Sequence, residues 1–335
     1  MSTESFQVAT GTIVRFAFSR LWQAVPVLLA VSVLAFALTA TAGDPLLAVV
    51  GPDATPAQRA AVAERLGLSS PLPERYARFV LGAVQGDFGI STRLARPVGP
   101  LVAERLPATV ELAGTAFVLS LLLGVPGGVV AALRRRNVPG RLLMGASLLA
   151  VSLPTFLTGT LLILLFAATL RWLPSFGRGG VVTVAGWDTG LLTVSGLRAL
   201  VLPATTLALF QAALLLRLVR DGVTTALDSG FIRFARARGL PRAQVLRHAL
   251  ANALLPVVTA GAMQLGALIA FSVVTESVFQ WPGLGMLLVQ SVAAADVPVI
   301  AAYLLLVALT FILLNLVADL LCFAIDPRQR PARPA

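Results

Sequence analysis

Most of the 335-residue chain consists of long apolar runs separated by polar or arginine-rich segments. A helix needs about 20 apolar residues to cross a bilayer, because each residue advances it by about 1.5 Å. Six runs meet this requirement, so the pattern predicts an all-α, polytopic membrane protein. The expected transmembrane helices cover residues 21–42, 108–133, 142–170, 197–216, 254–275 and 299–325.

The first run ends in Ala40-Thr41-Ala42, a sequence that also fits a signal-peptidase site. The apolar part is longer than that of a typical signal peptide, and further spans follow. The run is therefore interpreted as the first transmembrane helix.

Arginines are concentrated in alternate segments between the apolar runs. They cluster before the first run and after the second, fourth and sixth runs, whereas the other segments are of mixed sign, weakly charged or acidic. Because basic segments remain on the cytoplasmic side, both termini are predicted to be cytoplasmic. The expected parts are a cytoplasmic N-terminus (1–20), a transmembrane domain (21–325) with an external loop (43–105) and a cytoplasmic loop (217–253), and a cytoplasmic tail (326–335).

The cytoplasmic loop has the pattern of a helix, a break and a second helix. Phe231, Phe234 and Ala235 recur at helical spacing, which predicts one apolar face and one basic face. Gly239 can end that helix, and Pro241 stands where the next can begin. An amphipathic helix on the membrane surface and a docking surface for a protein both fit this pattern.

Composition narrows the function further. The chain is 57% hydrophobic and 12% charged, with a net charge of +11, and all of its basic side chains except the one histidine are arginines. Without a lysine it cannot contain a Walker A phosphate loop or a Schiff-base site. Its topology explains the basic charge, so no nucleic acid is expected as a partner, and the single Cys322 cannot form an intrachain disulfide.

Polar side chains within or beside the apolar runs are the other candidates for function, because burying them in a membrane is costly. They either line a transport pathway or join helices to each other. For Asp319, a hydrogen bond to Asn315, one helical turn away, is the favoured role. The candidates are Gln211, Gln264, Glu276, Asn315 and Asp319, with Glu111 near the outer end of the second span.

Several motifs resemble the dipeptide/oligopeptide/nickel permease family of ABC importers. The most specific is Ala235-Arg236-Ala237-Arg238-Gly239-Leu240, followed by Arg247-His248-Ala249-Leu250. Two external motifs, Gly86-Asp87-Phe88-Gly89-Ile90-Ser91 and the segment from Glu276 to Gly285, and the ending Asp326-Pro327-Arg328 support it. The sequence departs from the general importer pattern at Arg233 and Phe234, which stand where that pattern has Glu and Ala.

The resemblance implies a type I ABC importer permease fold in a bacterial plasma or inner membrane. It also implies partners: a second homologous permease, one or two ATPase subunits, an external solute-binding protein and membrane lipid. In this family the cytoplasmic loop is the coupling helix that seats in the ATPase. The residues that the resemblance assigns to coupling are Phe234, Ala235, Arg236, Ala237, Arg238, Gly239, Leu240, Arg247 and His248.

The expected function is that of a permease subunit without its own ATPase site, importing short peptides. Nickel chelates or glutathione are alternative cargoes within the same family, and an ion-coupled secondary transporter is the alternative from another class. No cofactor is expected on this chain, since ATP would bind to partner subunits. No metal site is expected, because His248 lacks neighbouring ligands.

Overall fold

The structure, a computed structural model, describes residues 3–41, 55–65 and 70–325. Apart from a π-helical segment (Ile163–Thr169) and one β-hairpin, the regular elements in these ranges are α-helices. The helices are α1 (Thr3–Thr41), α2 (Pro56–Arg65), α3 (Leu72–Val84), α4 (Val98–Leu133), α5 (Val138–Ser152), α6 (Thr155–Leu162), α7 (Val194–Asp228), α8 (Gly230–Ala237), α9 (Arg242–Val278), α10 (Leu284–Ala293) and α11 (Val297–Ile325).

The number of membrane spans agrees only in part with the prediction of six. In the described residues, four helices are long and apolar enough to cross a membrane, or five if one bent pair counts as a single span. The predicted fifth span lies within α9, of which Leu268–Val278 qualifies as a shorter apolar helix. The count of six is therefore not confirmed.

The predicted third span is not one straight helix. It is divided into α5 and the α6–π-helical unit, which meet at an angle of 109°. The break falls at Pro154, which cannot continue the backbone hydrogen bonding of α5 and precedes the first residue of α6. Beyond the bend α6 contacts both α7 and α9.

α4 and α7 pack side by side and form the centre of the bundle. Their close approach depends on small residues, since a Cβ atom on Gly128 would lie 2.6 Å from the Val219 Cβ atom. A Cβ atom on Gly124 would lie 2.8 Å from that of Leu215. α9 packs against α7 on one side and α11 on another, while α1 lies at the periphery against α11.

The segment between the π-helical segment and α7 contains a β-hairpin that the pattern of the sequence does not reveal. Strands β1 (Val182–Val184) and β2 (Trp187–Thr189) pair antiparallel. Ala185 and Gly186 connect them with φ values of +51° and +81°, as a tight hairpin turn requires.

The described part of the external loop contains the two short helices α2 and α3. At the start of α2 the Gln58 N–H donates to the Thr55 hydroxyl (3.3 Å), and the Gln58 side chain accepts from the Thr55 N–H (2.9 Å). This reciprocal pair is a capping box. Residues 42–54, 66–69 and 326–335, including the predicted tail and its Asp326-Pro327-Arg328 motif, lie outside the described residues.

Candidate functional site

The connection between α7 and α9, here called the elbow (residues 229–241), begins with a capped helix. α7 ends at Asp228, and the Ser229 hydroxyl then accepts a hydrogen bond from the Ile232 N–H (3.4 Å). Serine is among the residues favoured at this position, because its side chain satisfies a free N–H of the first turn. The chain therefore starts α8 immediately after leaving α7.

A turn at the predicted glycine separates α8 from α9. Gly239 has a φ of +77°, a left-handed conformation that residues with a Cβ atom adopt only with strain. The Gly239 N–H donates to the Arg236 carbonyl (3.0 Å), and the Leu240 N–H donates to the Ala235 carbonyl (3.3 Å), which closes the end of α8. α9 begins at Arg242, so the predicted helix–break–helix pattern is confirmed.

The inner face of α8 packs against the first turns of α9. Ile232 and Ala235 are buried, and Ile232 forms a small apolar cluster with Val245 and Ala249. Val245 and Ala249 lie one turn apart on the same face of α9. The cluster holds α8 against α9, so that a force on one helix acts on the other.

The prediction of which side of α8 is buried is wrong. Of the three residues predicted to share it, only Ala235 is buried, whereas Phe231 and Phe234 are 55% and 62% exposed. The helical period was read correctly, but Ile232 takes the buried position that the phenylalanines were expected to occupy.

The outer face of α8 consists of these two phenylalanines surrounded by arginines. The Arg238 guanidinium lies over the Phe234 ring, 5.8 Å from its centroid, and the Phe231 ring meets the His248 ring edge-on at 6.0 Å. Both contacts limit the movement of an exposed aromatic ring. The other exposed side chains near them are those of Arg233, Arg236, Ala237 and Arg247, while Leu240 and His248 are half-buried.

An ion pair joins the end of α7, next to the elbow, to the short loop between α4 and α5. The Arg135 guanidinium contacts both carboxylate oxygens of Asp228, at 2.9 and 3.4 Å. Both side chains are substantially exposed, so the pair contributes little to stability. Its two-point geometry instead fixes where the end of α7 lies relative to α4.

Comparison with models of protein families identifies the family of this chain. Residues 124–331 match the model of the binding-protein-dependent transport system inner membrane component, and residues 13–113 match the N-terminal part of the same kind of protein. The chain belongs to this family. It is the permease of a binding-protein-dependent ABC importer, as the resemblance implied.

Curated relatives match the permease over nearly its whole length. The glutathione transport system permease protein GsiC of Escherichia coli (strain K12) is 39% identical over 317 residues, covering 94% of this chain and 98% of that protein. The protein of the same name from Shigella flexneri serotype 5b (strain 8401) is 38% identical over the same shares.

Solved structures show the same fold. Two inward-facing crystal forms of the MetNI methionine ABC transporter match with TM-scores of 0.53 and 0.55 at 19% identity. Each match covers 68% of the permease and 96% of the solved chain. The fold is therefore that of a type I importer permease.

Glu276, predicted either to line a pathway or to join helices, joins helices in this conformation. Its side chain is fully buried and accepts hydrogen bonds from the Thr109 hydroxyl of α4 (2.8 Å) and the Met286 N–H of α10 (3.0 Å). The free N–H groups at the start of a helix favour a carboxylate there. Glu276 thus holds the start of α10 against α4.

We expect Gly283→Ala to destabilise the permease, because a Cβ atom there would lie 2.5 Å from the Glu276 carboxyl carbon. Overpacking of this kind costs about 1–3 kcal/mol. The measurement is the monodisperse fraction and melting temperature of the purified permease. Gly114→Ala is the matched control, since a Cβ atom there meets nothing within 4 Å. Equal behaviour of the two variants would contradict the close packing.

A buried ion pair, of which sequence reasoning found only one partner, holds the hairpin segment to α4. Glu111 contacts the Arg178 guanidinium, and its carboxylate also accepts from the Gly190 N–H (3.1 Å). Arg178 further donates to the Asp188 carbonyl (2.6 Å) and lies over the Trp281 ring, 6.0 Å from its centroid. Arg178 was missed because its partner lies 67 residues away.

Sequence reasoning also missed Asp296, which joins the connection between α10 and α11 to the end of the first external motif. It is fully buried and accepts hydrogen bonds from the Ser91 hydroxyl and from the Thr92 N–H (3.0 Å). One signal was present: apart from Glu276, Asp296 is the sole charge between residues 276 and 298. A lone carboxylate in an apolar segment needs a partner, and here Ser91 of the first external motif supplies it.

The remaining polar candidates are not brought together. Gln211 is 2% exposed, so its own chain encloses it, whereas Gln264 and Asn315 are half-buried. Asp319 forms an ion pair with Arg20 of α1, with 3.0 Å between the Arg20 Nε and Asp319 Oδ2 atoms. The predicted hydrogen bond between Asp319 and Asn315 is wrong, because the α1 arginine occupies the carboxylate instead.

Proposed function

We propose that the elbow is the coupling element through which ATPase subunits act on this permease. The observation that carries the proposal is the exposed pair Phe231 and Phe234 at the point where α7 and α9 meet. Two exposed phenylalanines on an eight-residue helix leave a large apolar area in water unless a partner covers them. Aromatic residues ringed by arginines are also the side chains that contribute most to binding at protein interfaces.

The elbow is placed to transmit movement. α7 enters it and α9 leaves it, so displacement of α8 moves two helices of the bundle together. In the proposed cycle, ATP draws two ATPase subunits together, and the elbows of two permease subunits follow. The spans then change between inward-facing and outward-facing states, a two-state equilibrium biased by nucleotide.

The partners proposed are a second homologous permease, one or two ATPases and an external solute-binding protein. The family description supports the last, because it names transport that depends on a binding protein. The arginine distribution supports cytoplasmic termini and a cytoplasmic elbow, on the ATPase side of the membrane. ATP binds to the partners in this proposal, and the permease itself carries no ATPase site.

For cargo we propose short peptides, with glutathione as a specific candidate. The E. coli relative that is 39% identical bears a glutathione transport name, and glutathione is itself a small peptide. Nickel chelates remain the alternative within the same kind of permease. The binding protein is expected to make the main selection among these cargoes.

Truncating Phe234 tests the docking face. We expect Phe234→Ala to lower the amount of ATPase that co-purifies with the tagged permease in mild detergent by about tenfold, equivalent to about 1.4 kcal/mol. Phe176→Ala is the matched control, because Phe176 is 54% exposed but lies in the predicted external segment before the hairpin. Mass spectrometry of the purified sample identifies the subunits.

Two outcomes would count against the proposal. Recovery of the permease without any ATPase, while ATPases are detected in the starting membranes, would oppose docking altogether. Equal co-purification with Phe234→Ala and with the control would place the docking face elsewhere on the chain.

A further inference from the structure

α6 covers one side of the α7–α9 pair at the end that lies away from the elbow. A Cβ atom on Gly159 of α6 would lie 3.4 Å from side-chain atoms of both Thr206 and Val278. Thr206 belongs to α7 and Val278 to α9, so α6 lies across both helices. This cover follows from the sharp bend between α5 and α6.

One turn closer to the elbow, the same side of both helices is uncovered. Phe210 follows Thr206 by four residues, and Val274 precedes Val278 by four, so each lies on the face that α6 covers further out. Phe271 and Val274 are 45% and 41% exposed although α9 is surrounded by other helices. We call Phe210, Gln264, Phe271 and Val274 the uncovered face.

An aromatic pair closes the gap between the two helices on this face. The Phe210 and Phe271 rings lie 5.8 Å apart between centroids, at 52° to each other. The opposite side of α9 is occupied, because a Cβ atom on Gly266 would lie 2.6 Å from the Phe311 ring of α11. Leu268, one turn from both Gln264 and Phe271, is buried in the central core and borders the face. The uncovered face is thus a distinct side of α9.

Gln264 gives this face a polar group. It lies on the same side of α9 as Phe271, two turns nearer the elbow, and is half-buried. Its Oε1 atom is buried and has no hydrogen-bond partner among the described residues. A buried acceptor without a donor is unfavourable, and rotation of the Gln264 side chain toward the open side would let an N–H group of a passing molecule satisfy it.

We infer that the uncovered face lines the translocation pathway, with Phe210 and Phe271 forming its constriction below α6 and Gln264 accepting an amide N–H of the cargo. The inference rests on the proposed function, and it gives that function a peptide-like cargo. A face turned to lipid would leave a glutamine in hydrocarbon, which is unfavourable. Both helices that bear the face run directly into α8, so movement of the elbow would change its width.

Labelling of introduced cysteines tests the inference. The natural chain has the single Cys322, so Cys322→Ser provides a background without cysteine. Phe271→Cys and Val274→Cys are introduced one at a time, and the complex with its partners is reconstituted in nanodiscs. The probe is a negatively charged methanethiosulfonate. Leu122→Cys is the control, because Leu122 is 65% exposed and lies opposite the α4 face that packs on α7.

We expect Phe271→Cys and Val274→Cys to react at least about tenfold faster than Leu122→Cys, since the reactive thiolate forms in water and not in hydrocarbon. A non-hydrolysable ATP analogue is expected to change the two rates and leave that of the control unaltered. Equal rates at all three positions, or no reaction at the first two, would overturn the inference. If Phe271→Cys fails to assemble, Val274→Cys carries the comparison.

The outcome is separable from that of the docking test. Loss of ATPase binding in that test concerns the elbow and leaves the labelling rates without nucleotide unaffected. Slow labelling in a complex that still contains ATPases would instead show that lipid or the second permease covers the face.

Discussion

Replacing Gly239 with valine is expected to abolish ATP-dependent uptake while the permease remains inserted in the membrane. Gly239 has a φ of +77°, and a residue with a Cβ atom pays about 1–2 kcal/mol to adopt that conformation, more if it is β-branched. Nothing lies within 4 Å of the added Cβ atom, so the backbone alone causes the effect. Relief of the strain would turn α8 away from the first turns of α9 and misplace Phe234.

Gly230→Val is the matched control for this variant. Gly230 is the first residue of α8, is exposed, also meets nothing within 4 Å of an added Cβ atom and has no left-handed φ. We expect uptake close to the unmodified level for Gly230→Val and near zero for Gly239→Val, with equal amounts of both in the membrane fraction. Full uptake by Gly239→Val would show that the turn at the end of α8 does not position the coupling surface.

Arg20→Gln is expected to reduce the amount of folded permease strongly, whereas the double variant Arg20→Gln/Asp319→Asn is expected to recover it. The single change leaves Asp319 without its arginine inside a predicted span, at a cost of up to about 3 kcal/mol. Neutralising both residues removes that cost. Asp319→Asn alone is expected to have a small effect, since the long Arg20 side chain near the end of α1 can reach the interface.

The same three variants separate an anchor from a proton relay. Uptake is measured per amount of folded permease in reconstituted vesicles. If Asp319 only holds α1 against α11, the double variant transports at nearly the unmodified rate. If Asp319 carries protons, no variant that lacks its carboxylate will transport, and failure of the double variant would contradict the anchoring role.

Several elements could be predicted because their cause is local. A run of about 20 apolar residues crosses a membrane whatever packs beside it, so most predicted spans appear as apolar helices. Gly239 could be identified as the end of α8 because a left-handed residue there favours glycine in any surrounding. The capping box at Thr55 and Gln58 is similarly confined to one turn.

Other features depend on contacts between distant segments. The bend at Pro154 had a visible signal, but its angle of 109° reflects how α6 lies across α7 and α9. Asp296 and Ser91 are 205 residues apart, so their hydrogen bond could not be deduced from spacing. For Asp319, a neighbour on its own helix was predicted, whereas Arg20, 299 residues away, is the partner found.

The sequence by itself determined that this protein is a helical membrane protein with an arginine-rich elbow whose helix ends at a glycine, because apolar length, charge distribution and turn chemistry act within a few residues. Only the tertiary structure decided which side of each helix is buried. On α8 it buried Ile232 and exposed Phe234, and on α9 it left Phe271 uncovered. The physical reason is that helical periodicity specifies the spacing of a face, whereas its direction depends on which neighbours arrive to cover it.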